Sequence, residues 1–135
     1  MATEGQLQTS NDHSGINAIV IDDDIDVREL FVELLQMNNV NIVGIGSNGK
    51  DALELYKTHR PDLVFIDYLM PQYDGICGIK MINELDPRAK IIMVSGSYFG
   101  EGVLGDSVIG IIKKPIEMNE VIDMVNKIRT EKIVK

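Results

Sequence analysis

The stretch DLVFIDYLMPQYDG, residues 62–75, joins an apolar run directly to a single carboxylate. Residues 63–66 are all apolar, a pattern typical of a strand that is covered on both faces. Asp67 ends this run, and Pro71 marks a turn shortly afterwards. A strand of this kind belongs inside a parallel sheet. The residues that reach the same edge of that sheet therefore decide what Asp67 does.

Strand and helix patterns alternate along the rest of the chain. Short apolar runs predict five strands, at residues 17–22, 40–46, 62–67, 90–95 and 110–114. Apolar residues at helical spacing predict helices around residues 27–37, 52–56, 76–85 and 118–128. The segment 96–110 is rich in glycine, so any helix in it is expected to be short. This alternation predicts an α/β fold, a doubly wound five-stranded parallel sheet with helices on both faces.

Length and composition limit the classes of function. The 135 residues suit one domain, and the polar residues 1–15 are predicted to be a flexible tail before a domain at 16–135. The formal net charge of −8 argues against nucleic acid and anionic membranes as direct partners, because phosphate groups require clustered Lys and Arg. No signal peptide or membrane span is evident. The single cysteine, Cys77, fits a cytoplasmic location.

Polar residues stand at the carboxyl ends of four of the predicted strands. They are Asp22, Asp23 and Asp24 on the first strand, Asp67 on the third, Ser95 on the fourth and Lys114 on the fifth. The carboxyl ends of parallel strands share one edge, where ligands bind in such sheets. Crowded carboxylates repel one another unless a cation joins them, and Mg²⁺ is a hard ion suited to carboxylates, water and phosphate.

These residue types together predict phosphoryl transfer to Asp67. A carboxylate can act as the nucleophile, while the ammonium of Lys114 and the hydroxyl of Ser95 bind phosphoryl oxygens. Taken singly, each residue has an ordinary explanation. An acidic run is commonly a solvated turn, and Asp24 can simply cap the helix that follows it. The prediction of phosphoryl transfer depends on all of these residues occurring together at the strand ends.

With the segments IVIDDD, DLVFIDYLMPQYDG, IIMVSGS and IIKKP in this order, the chain resembles a response-regulator receiver domain of the stand-alone, chemotaxis type. The similarity covers about residues 17–128. It implies the flavodoxin-like strand order 2-1-3-4-5. It also implies a role in a two-component phosphorelay, in which a histidine kinase or phosphotransfer protein phosphorylates the domain and thereby changes its affinity for a separate, unidentified protein. Such a domain is not an enzyme beyond self-catalysed phosphoryl transfer and autodephosphorylation.

The resemblance implies a role for each residue of the metal site. Asp67 corresponds to the phosphoacceptor. Asp22 and Asp23 correspond to the acidic pair that organises Mg²⁺, and Asp23 is expected to be the direct ligand. The backbone carbonyl of Leu69 corresponds to the group that completes the metal shell.

The remaining matches concern signalling. Ser95 corresponds to the switch Ser/Thr that moves toward the phosphoryl group. Lys114, rather than Lys113, corresponds to the lysine before a proline, and alternation along a strand supports this choice because neighbouring side chains point to opposite faces. The resemblance also implies a cis peptide bond between Lys114 and Pro115.

Two departures from the family pattern concern how phosphorylation at the site changes the protein surface. Ile111 occupies the position at which the family usually has an aromatic switch residue, so an aromatic rotation cannot be the signal. The glycine-rich segment 96–110 stands where a signalling helix is expected, and Tyr98 and Phe99 near its start are placed to close over the site.

Two other functions share parts of this pattern. A phosphatase of the haloacid-dehalogenase type also uses an Asp nucleophile, but Leu69 stands where that class needs a second Asp, and the chain has no length for a cap domain. A phosphorylation-independent interaction module with the receiver fold is favoured only by Ile111. A homodimer through the face around the fifth strand is left open.

Overall fold

A computed structural model of the protein describes residues 15–68, 75–96 and 107–134. Within these ranges the chain forms five strands and four helices. In chain order they are β1 (Ile16–Ile21), α1 (Ile25–Met37), β2 (Val40–Gly46), α2 (Gly49–His59), β3 (Leu63–Asp67), α3 (Gly75–Leu85), β4 (Ile91–Ser95), β5 (Val108–Lys113) and α4 (Met118–Val134).

The five strands form one parallel sheet in the order β2-β1-β3-β4-β5. This confirms the predicted fold class and strand order. The register brings the carboxyl ends of the strands level: Ile21 pairs with Ile66, Asp67 pairs with Val94, and Ser95 pairs with Lys113. The residues that follow these ends therefore meet at one edge of the sheet.

Hydrophobic side chains fill a core on each face of the sheet. In β3, Leu63 and Phe65 point into one core, and Val64 and Ile66 point into the other, because neighbouring side chains of a strand alternate. Helices α1 and α4 cover the first core, and α2 and α3 cover the second. All five residues of β3 are buried, as the continuous apolar run predicted.

The observed elements differ from the predicted ones mainly at their ends. Helix α1 begins at Ile25 rather than at 27, because the carboxylate of Asp24 accepts the Val27 N–H at 3.1 Å and caps the helix. Strand β5 begins at Val108 and ends at Lys113, so Lys114 follows the strand. The prediction of a flexible tail rests on residues 1–15, of which 1–14 lie outside the described residues. The prediction of a short helix in 96–110, with Tyr98 and Phe99 near its start, also falls largely outside them.

Two glycines permit close packing. A Cβ added to Gly75 would lie 2.2 Å from the carbonyl oxygen of Asp67, so the chain can return to the end of β3 only with glycine at this position. A Cβ on Gly78 would lie 2.9 Å from the Cα of Gly49, where α3 packs against α2. The first of these contacts involves the backbone of Asp67, the predicted phosphoacceptor.

Candidate functional site

Three carboxylates converge at the carboxyl edge of the sheet. Oxygens of Asp22, Asp23 and Asp67 all lie within 4.8 Å of one another. Asp22 and Asp67 are 5% and 7% exposed, whereas Asp23 is exposed to solvent. Negative charges held this close and this far from water repel each other unless cations balance them.

Lys114 supplies one positive charge to this cluster. Its Nζ lies 3.5 Å from Oδ2 of Asp22 and 3.7 Å from Oδ2 of Asp67. The backbone N–H of Lys114 donates to the carbonyl of Ser95 at 2.8 Å, and the Lys114–Pro115 peptide bond is cis, as the resemblance implied. Three carboxylates and one ammonium leave a formal charge of −2. This charge and the all-oxygen donor set suit a hard divalent cation.

Main-chain hydrogen bonds hold Asp22 in place. Its Oδ1 accepts the N–H of Asp24 at 2.9 Å, and its own N–H donates to the carbonyl of Gly46 at 3.1 Å. The side chain of Arg28 reaches the same place from α1, and its Nη1 donates to the Asp22 carbonyl at 3.2 Å. No sequence pattern marks Arg28 as part of the site, because its hydrogen bond to the Gly46 carbonyl depends on how β2 packs beside β1.

The backbone around Asp67 is fixed on both sides. The N–H of Tyr68 donates to the Val94 carbonyl at 2.8 Å, which continues the pairing of β3 with β4 past Asp67. The N–H of Gly75 donates to the Tyr68 carbonyl at 2.8 Å. Leu69 lies outside the described residues, so the role of its carbonyl in a metal shell stays a prediction.

The two signalling positions lie in neighbouring strands. Ser95 is 1% exposed, ends β4, and directly follows Val94, the residue that pairs with Asp67. Ile111 is half-buried, pairs with Met93, and packs against the core between the sheet and α2–α3. The structure thus brings Asp22, Asp23, Asp67 and Lys114 together and sets Ser95 one strand away from Asp67.

Comparison with known proteins identifies the family of this chain. The model of the response regulator receiver domain matches residues 18–126. The chain belongs to this family. It is similar to the chemotaxis protein CheY of Bacillus subtilis, with 35% identity over 112 residues that cover 81% of this chain and 93% of the relative. It is also similar to CheY of Thermotoga maritima, with 32% identity over 117 residues that cover 84% and 98%.

Solved structures agree with this assignment. The chain resembles CheY in the CheX–CheY–BeF3–Mg complex from Borrelia burgdorferi, with a TM-score of 0.74, 28% identity, and coverage of 84% of this chain and 88% of that one. A CheY-like receiver domain from Methylobacillus flagellatus gives the same TM-score and identity, with coverage of 84% and 98%. These matches confirm a receiver domain of two-component systems, of the chemotaxis type. Among the described residues, no helix combines the length and apolar character needed to cross a membrane.

Proposed function

We propose that Asp67 of this receiver domain accepts a phosphoryl group from a histidine kinase or phosphotransfer protein, with Mg²⁺ bound beside it. The observation that carries the proposal is the position of Lys114, whose Nζ is 3.5 Å from Asp22 and 3.7 Å from Asp67 at the edge of a three-carboxylate cluster. A structural ion pair needs one carboxylate for one ammonium, whereas a phosphoryl site needs surplus oxygen ligands for a metal ion.

The donor set fits magnesium. Asp23 is exposed and is the expected direct ligand, while Asp22 and Asp67 are buried and held by the sheet. When bound, the ion neutralises charge on the phosphoryl oxygens. The predicted carbonyl ligand from Leu69 belongs to the same proposal.

The protein's own groups carry out the transfer. An oxygen of Asp67 forms a bond to phosphorus as the bond between phosphorus and the donor's histidine nitrogen breaks, and that nitrogen keeps the electron pair. The ammonium of Lys114 and the hydroxyl of Ser95 then donate hydrogen bonds to the phosphoryl oxygens. In a second reaction, water attacks phosphorus, the bond between phosphorus and the Asp67 oxygen breaks with its electron pair staying on the carboxylate, and inorganic phosphate leaves. We propose no catalysis beyond these two self-modifying reactions.

Phosphorylation is proposed to change the affinity for a separate protein in the cytoplasm. The relative in the Borrelia structure is complexed with CheX, which illustrates that a CheY can bind another protein. In this chain, the face around β5 exposes Ile109 at 45%, beside Met124 and Lys127 of α4. A partner protein is the proposed ligand of this face, and a second copy of the chain is the alternative.

Phosphorylation is tested with a small phosphodonor and intact-mass measurement. The protein is incubated with acetyl phosphate and MgCl₂, with Asp67→Asn treated in parallel and EDTA added to a third sample. We expect the wild-type mass to rise by one phosphoryl group only with Mg²⁺, and the Asn variant to stay unchanged. An unchanged wild-type mass, or an equal rise in Asp67→Asn, overturns the proposal.

A second candidate is a module that binds its partner regardless of phosphorylation. It is favoured by Ile111, which occupies the place of the aromatic switch. Affinity capture with and without beryllofluoride, a mimic of the phosphoryl group on Asp67, separates the two candidates. Capture of the same partner at equal yield in both samples favours the second.

A further inference from the structure

We infer that Arg28 is a positioning residue of the metal site, which orients the Asp22–Asp23 peptide and thereby sets the affinity for Mg²⁺. The inference rests on the proposed function, because it concerns the ion that phosphorylation of Asp67 requires. Arg28 lies on α1, outside the acidic cluster itself.

The guanidinium of Arg28 joins the ends of two strands. Its Nη1 donates to the Asp22 carbonyl at 3.2 Å, to the Gly46 carbonyl at 3.3 Å and to Oγ of Ser47 at 2.9 Å. The Gly46 carbonyl also accepts the N–H of Asp22 at 3.1 Å. Arg28 thus closes a ring of hydrogen bonds around Asp22, the residue that follows β1 and belongs to the carboxylate cluster.

Arg28 acts on the metal site through its hydrogen bond to the Asp22 carbonyl. It belongs to the planar peptide unit between Asp22 and Asp23, so fixing its direction also fixes the plane from which the Asp23 side chain departs. The carboxylate of Asp22 is held separately, by the N–H of Asp24. With the guanidinium in place, the peptide between Asp22 and Asp23 has a fixed direction, and so do the bonds from the main chain to both side chains. Without it, that peptide loses a hydrogen bond that fixes its direction.

The contacts of Arg28 are unusual for an arginine beside an acidic cluster. Within the described part of the chain it forms no ion pair with a carboxylate, and its buried Nε has no hydrogen-bond partner. A side chain placed only to balance charge would take a carboxylate, for which the guanidinium fork is well suited. Two of its three hydrogen bonds instead go to main-chain carbonyls, as orientation of the peptide requires.

Arg129 provides a matched control. Its Nη2 also donates to two main-chain carbonyls, those of Asn38 at 3.4 Å and Asn39 at 3.3 Å, but at the opposite end of α1. Arg28→Met and Arg129→Met therefore each remove one positive charge and hydrogen bonds to two main-chain carbonyls. They differ in distance from the carboxylates.

The experiment measures Mg²⁺ binding by isothermal titration calorimetry and thermal unfolding without metal, for wild type, Arg28→Met, Arg28→Lys and Arg129→Met. We expect Arg28→Met to bind Mg²⁺ about tenfold more weakly, as when an outer partner of a metal ligand is lost. Arg28→Lys should recover part of the affinity. Arg129→Met should lower the unfolding temperature but bind Mg²⁺ like the wild type. At saturating Mg²⁺, phosphorylation of Arg28→Met by acetyl phosphate should return toward the wild-type rate.

The outcomes separate this inference from the proposed function. If the wild type binds no Mg²⁺, the proposed function fails. If the wild type binds and Arg28→Met binds equally well, or Arg129→Met is weakened as much, the inference alone is overturned. Should Arg28→Met not fold, Arg28→Gln decides by the same measurement. Failure of both to fold, while Arg129→Met folds, also overturns it, because Arg28 is then a structural residue.

Discussion

The Nζ of Lys114 lies 3.7 Å from Oδ2 of Asp67, although β4 separates β3 from the strand that Lys114 follows. It lies at 3.5 Å from Asp22 as well, on the far side of Asp67 in the sheet order. One ammonium thus spans the carboxyl ends of β1, β3 and β5. This requires the level strand ends that the parallel register provides, and it links the fold directly to the chemistry proposed for Asp67.

Replacing Lys114 is expected to slow phosphorylation strongly. Lys114→Met removes a preorganised donor to the phosphoryl oxygens, a loss that costs roughly 100-fold in rate in comparable sites. The measurement is the rate of mass increase with acetyl phosphate at saturating Mg²⁺. Lys113→Met is the control, since Lys113 is exposed and precedes Lys114 in the chain. Equal rates for the two variants contradict the assignment of Lys114.

Magnesium is expected to stabilise the folded protein, because the carboxylate cluster exists only in the native state. At a concentration 100 times the Kd, binding adds about 2.7 kcal/mol to the free energy of unfolding. Thermal unfolding is measured with MgCl₂ and with EDTA. Asp23→Asn should lose most of this gain, while Asp26→Asn, an exposed residue in the first turn of α1, should keep it. If Mg²⁺ raises the free energy of unfolding equally in Asp23→Asn and Asp26→Asn, the ion does not bind at the carboxylate cluster.

The elements and the site edge were predictable from sequence because they depend on short-range patterns. Apolar runs define the strands, and the side chains that follow them must share an edge once the strands are parallel. Contacts set by tertiary packing left no such pattern. Arg28 meets the Gly46 carbonyl only because β2 lies beside β1. Strand β5 begins at Val108 rather than at the predicted Gly110, because Val108 already pairs with Ile91 of β4.

Gly75→Ala is expected to destabilise the protein more than other glycine replacements. The new Cβ would lie 2.2 Å from the carbonyl oxygen of Asp67 and 2.8 Å from the Cα of Tyr68, and backbone atoms cannot move aside without displacing the phosphoacceptor. Overpacking of this kind costs about 1–3 kcal/mol or more. Chemical denaturation measures the loss, and phosphorylation by acetyl phosphate should fall with it.

Gly96→Ala is the matched control for that substitution, because a Cβ on Gly96 meets nothing within 4 Å among the described residues. We expect its stability to stay within about 0.5 kcal/mol of the wild type. If Gly75→Ala is as stable as Gly96→Ala, the close approach of Gly75 to Asp67 is not a feature of the folded protein in solution.

The hydrogen bond from Tyr56 to Asp86 is expected to give stability that depends on pH. The Tyr56 hydroxyl donates to Oδ2 of Asp86 at 2.8 Å and ties α2 to the residue after α3. This bond, with the Arg88 N–H, lowers the pKa of Asp86. Burial, and then the bond to Asp86, raises the pKa of Tyr56 above its ordinary value. Tyr56→Phe should therefore lower the free energy of unfolding at neutral pH by about 1–2 kcal/mol.

The sign of each shift sets the pH range of this difference. The Asp86 contribution is present above the ordinary pKa of aspartate and is lost as pH falls through the lowered value; the Tyr56 contribution is present below about pH 10 and is lost as pH rises. The stabilities of wild type and Tyr56→Phe should therefore differ by a constant amount between about pH 5 and 9, and the advantage of the wild type should shrink outside this range. Asp86→Asn and the double variant complete a double-mutant cycle with Tyr56→Phe. The coupling energy between Tyr56 and Asp86 should be smaller at acidic pH. Curves that stay parallel into acid would show that the hydroxyl contributes by packing, because the ionised carboxylate is then not the group it stabilises.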